Sequence, residues 1–180
     1  MKLKILDLKQ ENEIWISQIS EMLNDAFDEH QRNTWKDEIY KSFDSERISR
    51  VVINEETNIV LGWIGGINQY NGKVWELHPL VVKKEYRKKN IGTALVKDFE
   101  GQVKKRGGLT VWLGTDDEKN KTSLSGVNLY DDIWDHIKNI KNYKDHPYEF
   151  YQKIGYCIIG VMPDANGVGK PDIYMAKRIE

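Results

Sequence analysis

The sequence predicts a single α/β domain in which helices and strands alternate along the chain and the sheet has mixed strand pairing. Apolar residues recur at helical spacing in two long segments, 13–26 and 92–107. Runs rich in β-branched residues flank the turn-forming string NEETN at 54–58. No linker, internal repeat or low-complexity segment interrupts the 180 residues, a length that suits one compact domain. We therefore expect residues 1–180 to form one domain.

The N-terminal quarter of the chain predicts one strand and two helices. LKILDL at 3–8 alternates apolar and polar residues, as a half-buried strand does. The string EIWISQISEMLNDAF has apolar side chains near helical spacing and predicts a helix from Glu13 to Ala26. The polar stretch that follows predicts a loop and then a short helix from about Lys36 to Phe43.

Three strands are predicted between residues 48 and 82. The two runs around NEETN form a hairpin. Gly65 and Gly66 in its second strand predict a bulge or a close approach of another backbone. KVWELHPLVV at 73–82 predicts a third strand, whose pairing should break at Pro79 because proline cannot donate to a sheet ladder.

The rest of the chain predicts further helices and strands in alternation. The helix of 92–107 ends in a glycine cap. LTVWLGT at 109–115 is nearly continuously apolar, as in an inner strand of a sheet covered on both faces. The polar insertion 116–144 contains LYDDIWDHIKNI, which predicts a helix. A last helix begins at Pro147 and ends at Gly155, and two strands joined by a turn-rich loop complete the chain.

Composition excludes several classes of protein. With 27 basic and 28 acidic residues and a formal net charge of -1, the chain lacks the basic balance of a nucleic-acid binder. Its one cysteine, Cys157, lies in an apolar run and is expected to be a small buried hydrophobe. No signal peptide or membrane span is visible, which predicts a cytoplasmic protein without a membrane partner. Scattered histidines and a single cysteine give no support for a metal site.

A basic loop precedes the central helix. In YRKKNIGTAL, a strand is followed by Arg87, Lys88 and Lys89, and Gly92 opens a helix. Unpaired N–H groups and the helix dipole favour an anion at such a terminus. The string lacks the ending of a Walker loop and the further glycines of a dinucleotide fingerprint. A solvated basic helix start is the alternative interpretation.

This loop resembles the acetyl-coenzyme A motif of the GNAT superfamily of N-acetyltransferases. Arg87 and Gly92 match its pattern, and Asn90 stands where the first glycine is usual; asparagine tolerates a left-handed backbone better than most residues. The resemblance implies a mixed, mostly antiparallel sheet with helices on both faces and a splayed central strand pair. It also implies acetyl-CoA as cosubstrate, bound by Leu80, Val81, Val82, Arg87, Lys88, Lys89, Asn90, Ile91, Gly92, Thr93 and Tyr151.

A closer resemblance covers nearly the whole chain after Arg47. WELHPLVV, GGLTVWLGTDD, HPYEFYQKIGY and PDANGVGKPDIYMAK are similar to the aminoglycoside 6′-N-acetyltransferases and occur in the same order. This resemblance implies transfer of an acetyl group to a primary amine of an aminoglycoside, and a homodimer. Lys119 departs from the family pattern, in which an acidic residue is usual. An acetyltransferase of another amine (a polyamine, an amino sugar or a protein N-terminus) and a non-catalytic CoA-binding module therefore stay open.

Three side chains are candidates for catalysis. Glu76 and His78 lie two residues apart on a strand, so their side chains share one face, and a carboxylate near the acceptor can hold an ammonium and take its proton. By resemblance Glu76 is the base and Tyr151 is the acid beside the sulfur, with Tyr148 and Tyr156 as alternatives. His78 either relays a proton or is satisfied by backbone. Without a catalytic role, Glu76 would be an exposed strand glutamate and Tyr151 a packed core tyrosine.

Four further residues are candidates for contact with the acceptor. By resemblance, Phe27 and Tyr70 form parts of the substrate wall. Asp116 and Asp117 follow an inner strand, where ligand sites of α/β proteins often form, and would attract a polycation.

Overall fold

The computed structural model describes residues 2–27 and 32–180, and the side chains of these residues except 32–34. Residues 28–31 of the loop predicted before the second helix lie outside the described residues. Contacts divide the chain into two compact units, one of Met1–Leu109 with Ile179–Glu180 and one of Thr110–Arg178. The prediction that 1–180 form one domain stays a prediction.

The described residues of the first unit form four strands and three helices, and two 3-10 turns at Tyr70–Gly72 and Lys84–Tyr86. In chain order the elements are β1 (Leu3–Asp7), α1 (Glu13–Ala26), α2 (Arg32–Lys41), β2 (Arg47–Asn54), β3 (Ile59–Gln69), β4 (Val74–Val82) and α3 (Ile91–Lys105). The predicted bounds of α1 are confirmed. Helix α2 begins and ends earlier than predicted; just after its end the Ser42 hydroxyl donates to the carbonyl of Ile39 over 2.6 Å.

The strands of this unit pair antiparallel in the order β1, β2, β3, β4. One face of the sheet packs on α1 and α2 in a core cluster that includes Leu23, Ile39, Trp63 and Val81. Helix α3 packs on the other face, where a Cβ at Gly62 would lie 2.9 Å from Leu95 Cδ1. Helices therefore cover both faces, as predicted.

A β-bulge re-aims the side chains of β4. Gly66 pairs with Leu77 and Ile64 pairs with Leu80, so Gly65 alone opposes His78 and Pro79. The predicted break at the proline and the predicted bulge at the glycines are confirmed. His78 and Val81 are an odd number of residues apart, yet because of the bulge their side chains lie on the same face of the sheet. His78 stacks on Trp35, and Val81 belongs to the same core cluster as Trp35.

The second unit contains three antiparallel strands in the order β5, β7, β6 and two short helices. Its elements are β5 (Thr110–Asp116), α4 (Ile133–Lys138), α5 (Tyr148–Lys153), β6 (Cys157–Met162) and β7 (Asp172–Arg178). The expectation that both faces of β5 are covered is wrong: Val111, Leu113 and Thr115 are buried, whereas the residues between them are more exposed. Threonine, tryptophan and glycine at alternate positions allow a half-exposed strand.

Two further expectations in this unit need correction. Cys157 is exposed, because it begins an outer strand of the unit's sheet on the side away from the core. The helix predicted over 129–140 is only six residues long, since the Asp132 side chain accepts a bond from the N–H of Asp135 and caps the helix there. The helix after Pro147 is confirmed, and Gly155 follows its end with a φ of 97°. In the part of the chain that the structure describes, no helix is long and apolar enough to cross a membrane.

Candidate active site

Glu76 is a half-buried carboxylate on β4. Its Oε2 accepts a hydrogen bond of 2.7 Å from Gln69 Nε2, at the end of the neighbouring strand. Burial raises the pKa of Glu76 above its ordinary value, and the charges of His78 and Arg47 and the Gln69 bond oppose this rise only in part. A carboxylate with a raised pKa is better suited than an exposed one to take a proton from an ammonium group near neutral pH.

An aromatic row covers His78. The His78 ring stacks on Trp35 with a centroid distance of 5.9 Å, and Trp35 lies 4.5 Å from Phe27. The structure thus brings together two predicted site residues, Phe27 and His78, through a third that sequence reasoning missed. The available signal was the spacing of Trp35 and Ile39, four residues apart on a polar helix, which places both on its buried side.

An ion pair that sequence reasoning also missed lies near Glu76. Arg47 Nη1 is 2.7 Å from Glu38 Oε1, and both side chains are largely shielded from solvent. Arg47 pairs in register with Ile67, which pairs in turn with Glu76. These three residues therefore lie in one row across the sheet, with side chains on the same face.

A cavity of about 600 Å³ lies within the first unit, where the end of α2 meets the start of β2 and the end of β3. Acidic, basic, aromatic, amide and aliphatic side chains line it: Tyr40, Lys41, Phe43, Asp44, Glu46, Arg47, Ile67 and Asn68. Arg47 belongs both to this lining and to the row that contains Glu76.

The hairpin between β3 and β4 carries Tyr70 into solvent. Tyr70 is 77% exposed, and Tyr70, Asn71 and Gly72 have φ values of 48°, 55° and 80°. A tyrosine in the left-handed region is uncommon and costs conformational energy. The hairpin therefore holds an aromatic ring outward at the end of the strand pair that carries Gln69 and Glu76.

The basic loop combines left-handed backbone with a helix start. Lys88 and Asn90 have φ values of 59° and 61°, which fits the expectation that asparagine replaces glycine at position 90. Arg87 Nε donates to the carbonyl of Val82 over 3.1 Å and ties the loop to the end of β4. Helix α3 begins directly after Asn90, so its first N–H groups lack intrahelical acceptors. This arrangement fits an anion such as a pyrophosphate.

The aspartates at the end of β5 hydrogen-bond to two different loops, Asp117 to the segment that follows it and Asp116 to the loop between β6 and β7. Asp117 is 1% exposed, and its two carboxylate oxygens each accept a 2.7 Å bond from a backbone N–H, those of Lys121 and Thr122. Asp116 accepts a bond from the side chain of Asn166. The geometry gives Asp117 a part in shaping the loop; contact of either carboxylate with a substrate stays a prediction.

Tyr151 lies in the second unit, on α5. It is 7% exposed, and its ring packs edge-on against Phe150 and Tyr156 at centroid distances of 5.0 and 5.6 Å. Burial strongly raises the pKa of its hydroxyl, so the phenol keeps its proton at neutral pH. A raised pKa makes the phenol a weaker acid, so it can donate its proton to a thiolate only if the two groups are in direct contact.

The sequence model of the acetyltransferase (GNAT) family matches residues 16–131, more than half of the chain. The chain belongs to this family, and the predicted family and enzyme class are confirmed.

Solved structures give a closer match. An aminoglycoside 6′-N-acetyltransferase complexed with coenzyme A is 42% identical to this chain, covers 98% of it and 97% of its own chain, and has a TM-score of 0.94. The aminoglycoside 6′-N-acetyltransferase from Enterococcus faecium is also 42% identical, with the same coverage and a TM-score of 0.91. An aminoglycoside 6′-acetyltransferase type Ii is 37% identical over the same shares, with a TM-score of 0.77. The predicted resemblance is confirmed; no curated protein matches the chain.

Proposed function

We propose that this protein is an aminoglycoside 6′-N-acetyltransferase, which moves the acetyl group of acetyl-CoA to a primary amine of the antibiotic. The observation that carries this proposal is the 42% identity, over 98% of the chain, to an aminoglycoside 6′-N-acetyltransferase that was solved with coenzyme A. Family membership supplies the reaction class, acetyl transfer.

The basic loop is the proposed binding site for the pyrophosphate of acetyl-CoA. Backbone N–H groups from Lys88 to Thr93, including those of Ile91 and Gly92, supply donors at the start of α3, and Arg87 and Lys89 supply positive charge. The chain segment Leu80–Val82 leads into this loop and is the proposed backbone contact for the pantetheine arm. Pairing of β4 with β3 resumes at Leu80 after the bulge, so this segment has a defined extended backbone.

Glu76 is the proposed general base. The attacking amine must lose a proton to react, and a carboxylate with a raised pKa can accept that proton directly or through water. His78 shares the face of Glu76 and rests on Trp35, which supports a role in shaping the acceptor site. Tyr151 is the proposed acid for the leaving thiolate, supported by a buried hydroxyl that holds its proton.

The acceptor is proposed to contact aromatic and acidic side chains. Phe27 packs beside Trp35 and Tyr70 is exposed at its hairpin, so both offer ring surface to a sugar. Asp116 and Asp117 offer negative charge to a cationic acceptor. Asp117 is buried and contributes by fixing the loop that follows β5.

A homodimer and a cytoplasmic location are further parts of the proposal. Ile159 and Met162 on β6 are about half exposed, and Trp112 and Tyr174 form a half-buried aromatic pair on the neighbouring strands of the same sheet. Apolar surface of this kind is typical of a contact between subunits. The cytoplasm is where acetyl-CoA would be available. Light scattering on the purified chain should give twice the 21.1 kDa mass of one chain.

Steady-state acetylation of kanamycin, followed by release of free thiol from acetyl-CoA, tests the function. The wild-type protein should turn over, and the Glu76→Gln variant should lose most of kcat while calorimetry shows unchanged binding of acetyl-CoA. Unchanged turnover in the variant would remove Glu76 as the base. Activity on spermidine, with none on any 6′-amino aminoglycoside, would favour another amine as substrate. Binding of CoA without turnover on a panel of amines would indicate a binding module.

A further inference from the structure

The ion pair of Glu38 and Arg47 is a shielded charge pair close to the proposed base. The side chains are 13% and 19% exposed, and the Nη1–Oε1 distance is 2.7 Å. Solvent-exposed pairs contribute little because water screens them, whereas a shielded pair acts on its neighbours through a less polar medium.

The sheet register fixes the relation of this pair to Glu76. Arg47, Ile67 and Glu76 are in register on three neighbouring strands. Strands lie about 4.8 Å apart, so the backbones of Arg47 and Glu76 are about 10 Å apart, a separation that a long arginine side chain on the same face partly closes. Glu38 approaches the same face from α2, the helix whose Trp35 covers His78.

Two opposite charges therefore act on one carboxylate. Arg47 lowers the pKa of Glu76 and Glu38 raises it, so that each offsets part of the other's effect and burial remains the largest cause of the rise. The other groups that face Glu76 are His78 on the same strand and the neutral amide of Gln69 on the next.

We propose that Glu38 and Arg47 are positioning residues for the reaction, whose pairing keeps Glu76 able both to accept and to release a proton. This rests on the proposed function only for the role of Glu76. An unpaired Arg47 would hold Glu76 ionised and weaken it as a base, whereas an unpaired Glu38 would hold it protonated and unable to accept. Neither residue needs to touch the acceptor for this effect.

The test compares charge-neutralised variants with charge-conserving ones. Glu38→Gln removes the negative charge, Arg47→Gln removes the positive charge, and the double variant removes both. Arg47→Lys and Glu38→Asp conserve the charges. Glu55→Gln is the matched control. Glu55 pairs with Lys2 and Lys4 in the same unit and is not among the groups that shift the pKa of Glu76. Melting curves by circular dichroism establish that each variant is folded.

The direct readout is an NMR titration of the Glu76 carboxyl carbon in protein labelled with ¹³C at glutamate, assigned by the signal lost in Glu76→Gln. The titration midpoint should move down in Glu38→Gln, move up in Arg47→Gln and return close to the wild-type value in the double variant. The two charge-conserving variants and the control should stay near wild type. Midpoints that move in the same direction in both single variants, or that do not return in the double variant, would overturn the proposal.

Activity provides the second readout. On the acid side of the pH profile, kcat/KM for kanamycin should fall about threefold in Arg47→Gln and rise about threefold in Glu38→Gln, as expected of modest coupling between screened charges. A protein that acetylates no 6′-amino aminoglycoside would remove the proposed function, but the carboxyl titration would still decide whether the ion pair controls Glu76. If the titration midpoint of Glu76 differs between the variants but their pH profiles of kcat/KM are identical, the proposed effect of the ion pair on the reaction is overturned.

Discussion

Gln69 Nε2 lies 2.7 Å from Glu76 Oε2, so a neutral amide holds the carboxylate that we propose as the base. An ionised carboxylate only accepts hydrogen bonds, which orients the amide with its NH₂ group toward Glu76. Once Glu76 carries a proton, the same amide can turn and accept through its oxygen. An amide can therefore hold the base in both charge states without adding a charge of its own.

Replacing Gln69 by leucine should impair catalysis without impairing acetyl-CoA binding. The change keeps a similar size and removes a bond to a charged group, which contributes about 1.5–3 kcal/mol. We expect kcat to fall about 10- to 100-fold, measured by steady-state acetylation of kanamycin. Asn68→Leu is the control, because the Asn68 amide binds Glu46 instead of Glu76. Wild-type kcat in Gln69→Leu would contradict the positioning role.

The acid side of the pH profile should report Glu76. Burial raises its pKa above the ordinary value of 4.5, and the base must be ionised to accept a proton. Activity is therefore full above the raised pKa and falls about tenfold per pH unit below it. A plot of log kcat/KM against pH should bend clearly above pH 4.5 and approach a slope of one. A profile that stays flat down to about pH 4.5 would show that another group limits the rate.

Local signals in the sequence were sufficient for the elements that carry these residues. The apolar spacing of α1 gave its exact bounds, because its buried face is continuous from Ile16 to Leu23. Pro79 predicted the break in β4, since a missing N–H disrupts pairing in any context. Asn90 has the left-handed backbone that its place in the loop required.

What the sequence could not predict depends on contacts between distant segments. Trp35 looks like an isolated aromatic residue in a polar stretch, and only packing places it between Phe27 and His78. The Glu38–Arg47 pair requires both the register of β2 and the placement of α2. Cys157 lies in an apolar run that predicts burial, but apolar residues on the outer face of a sheet can remain exposed.

Asn90 offers a test of the pyrophosphate site. Its φ of 61° suits asparagine or glycine, but a β-branched residue is strongly disfavoured there. Calorimetry should show that Asn90→Gly binds CoA about as tightly as wild type. Asn90→Val should bind about tenfold more weakly, because about 1–2 kcal/mol of strain would displace the start of α3. Equal affinity for CoA in both variants would show that coenzyme binding does not depend on the left-handed backbone at residue 90.

His146 should make stability depend on pH. Its Nδ1 accepts the N–H of Tyr148 at 3.2 Å, so Nε2 carries the proton and donates to the Asp116 carbonyl at 3.1 Å, which defines a neutral ring. Burial lowers the pKa of His146 below 6.5. As pH falls below 6.5, the unfolded chain takes up the proton first and the free energy of unfolding decreases, until the folded-state pKa is passed.

Urea denaturation of wild type and His146→Gln at several pH values between 5 and 8 measures this effect. The remaining histidines are common to both proteins, so the difference between the two curves isolates His146. We expect the stability advantage of wild type to be largest at high pH and to shrink toward pH 5. A difference that is constant across this range would exclude titration of His146 as a cause.

Gly65 should be required for the bulge that aims Glu76 and His78. A Cβ at this position would overlap the carbonyl oxygen of His78, and backbone cannot yield as a side-chain end can. We expect Gly65→Ala to lower the free energy of unfolding by about 1–3 kcal/mol. It should also reduce kcat at temperatures well below the melting point, because the strand that carries His78 and Glu76 must shift. Gly101→Ala is the matched control in α3: apart from the helix's own backbone and the two chain neighbours, no atom lies within 4 Å of the new methyl group, so helix propensity should raise stability by about 0.5–1 kcal/mol. Full stability and full activity in Gly65→Ala would show that the close approach of the two strands is dispensable.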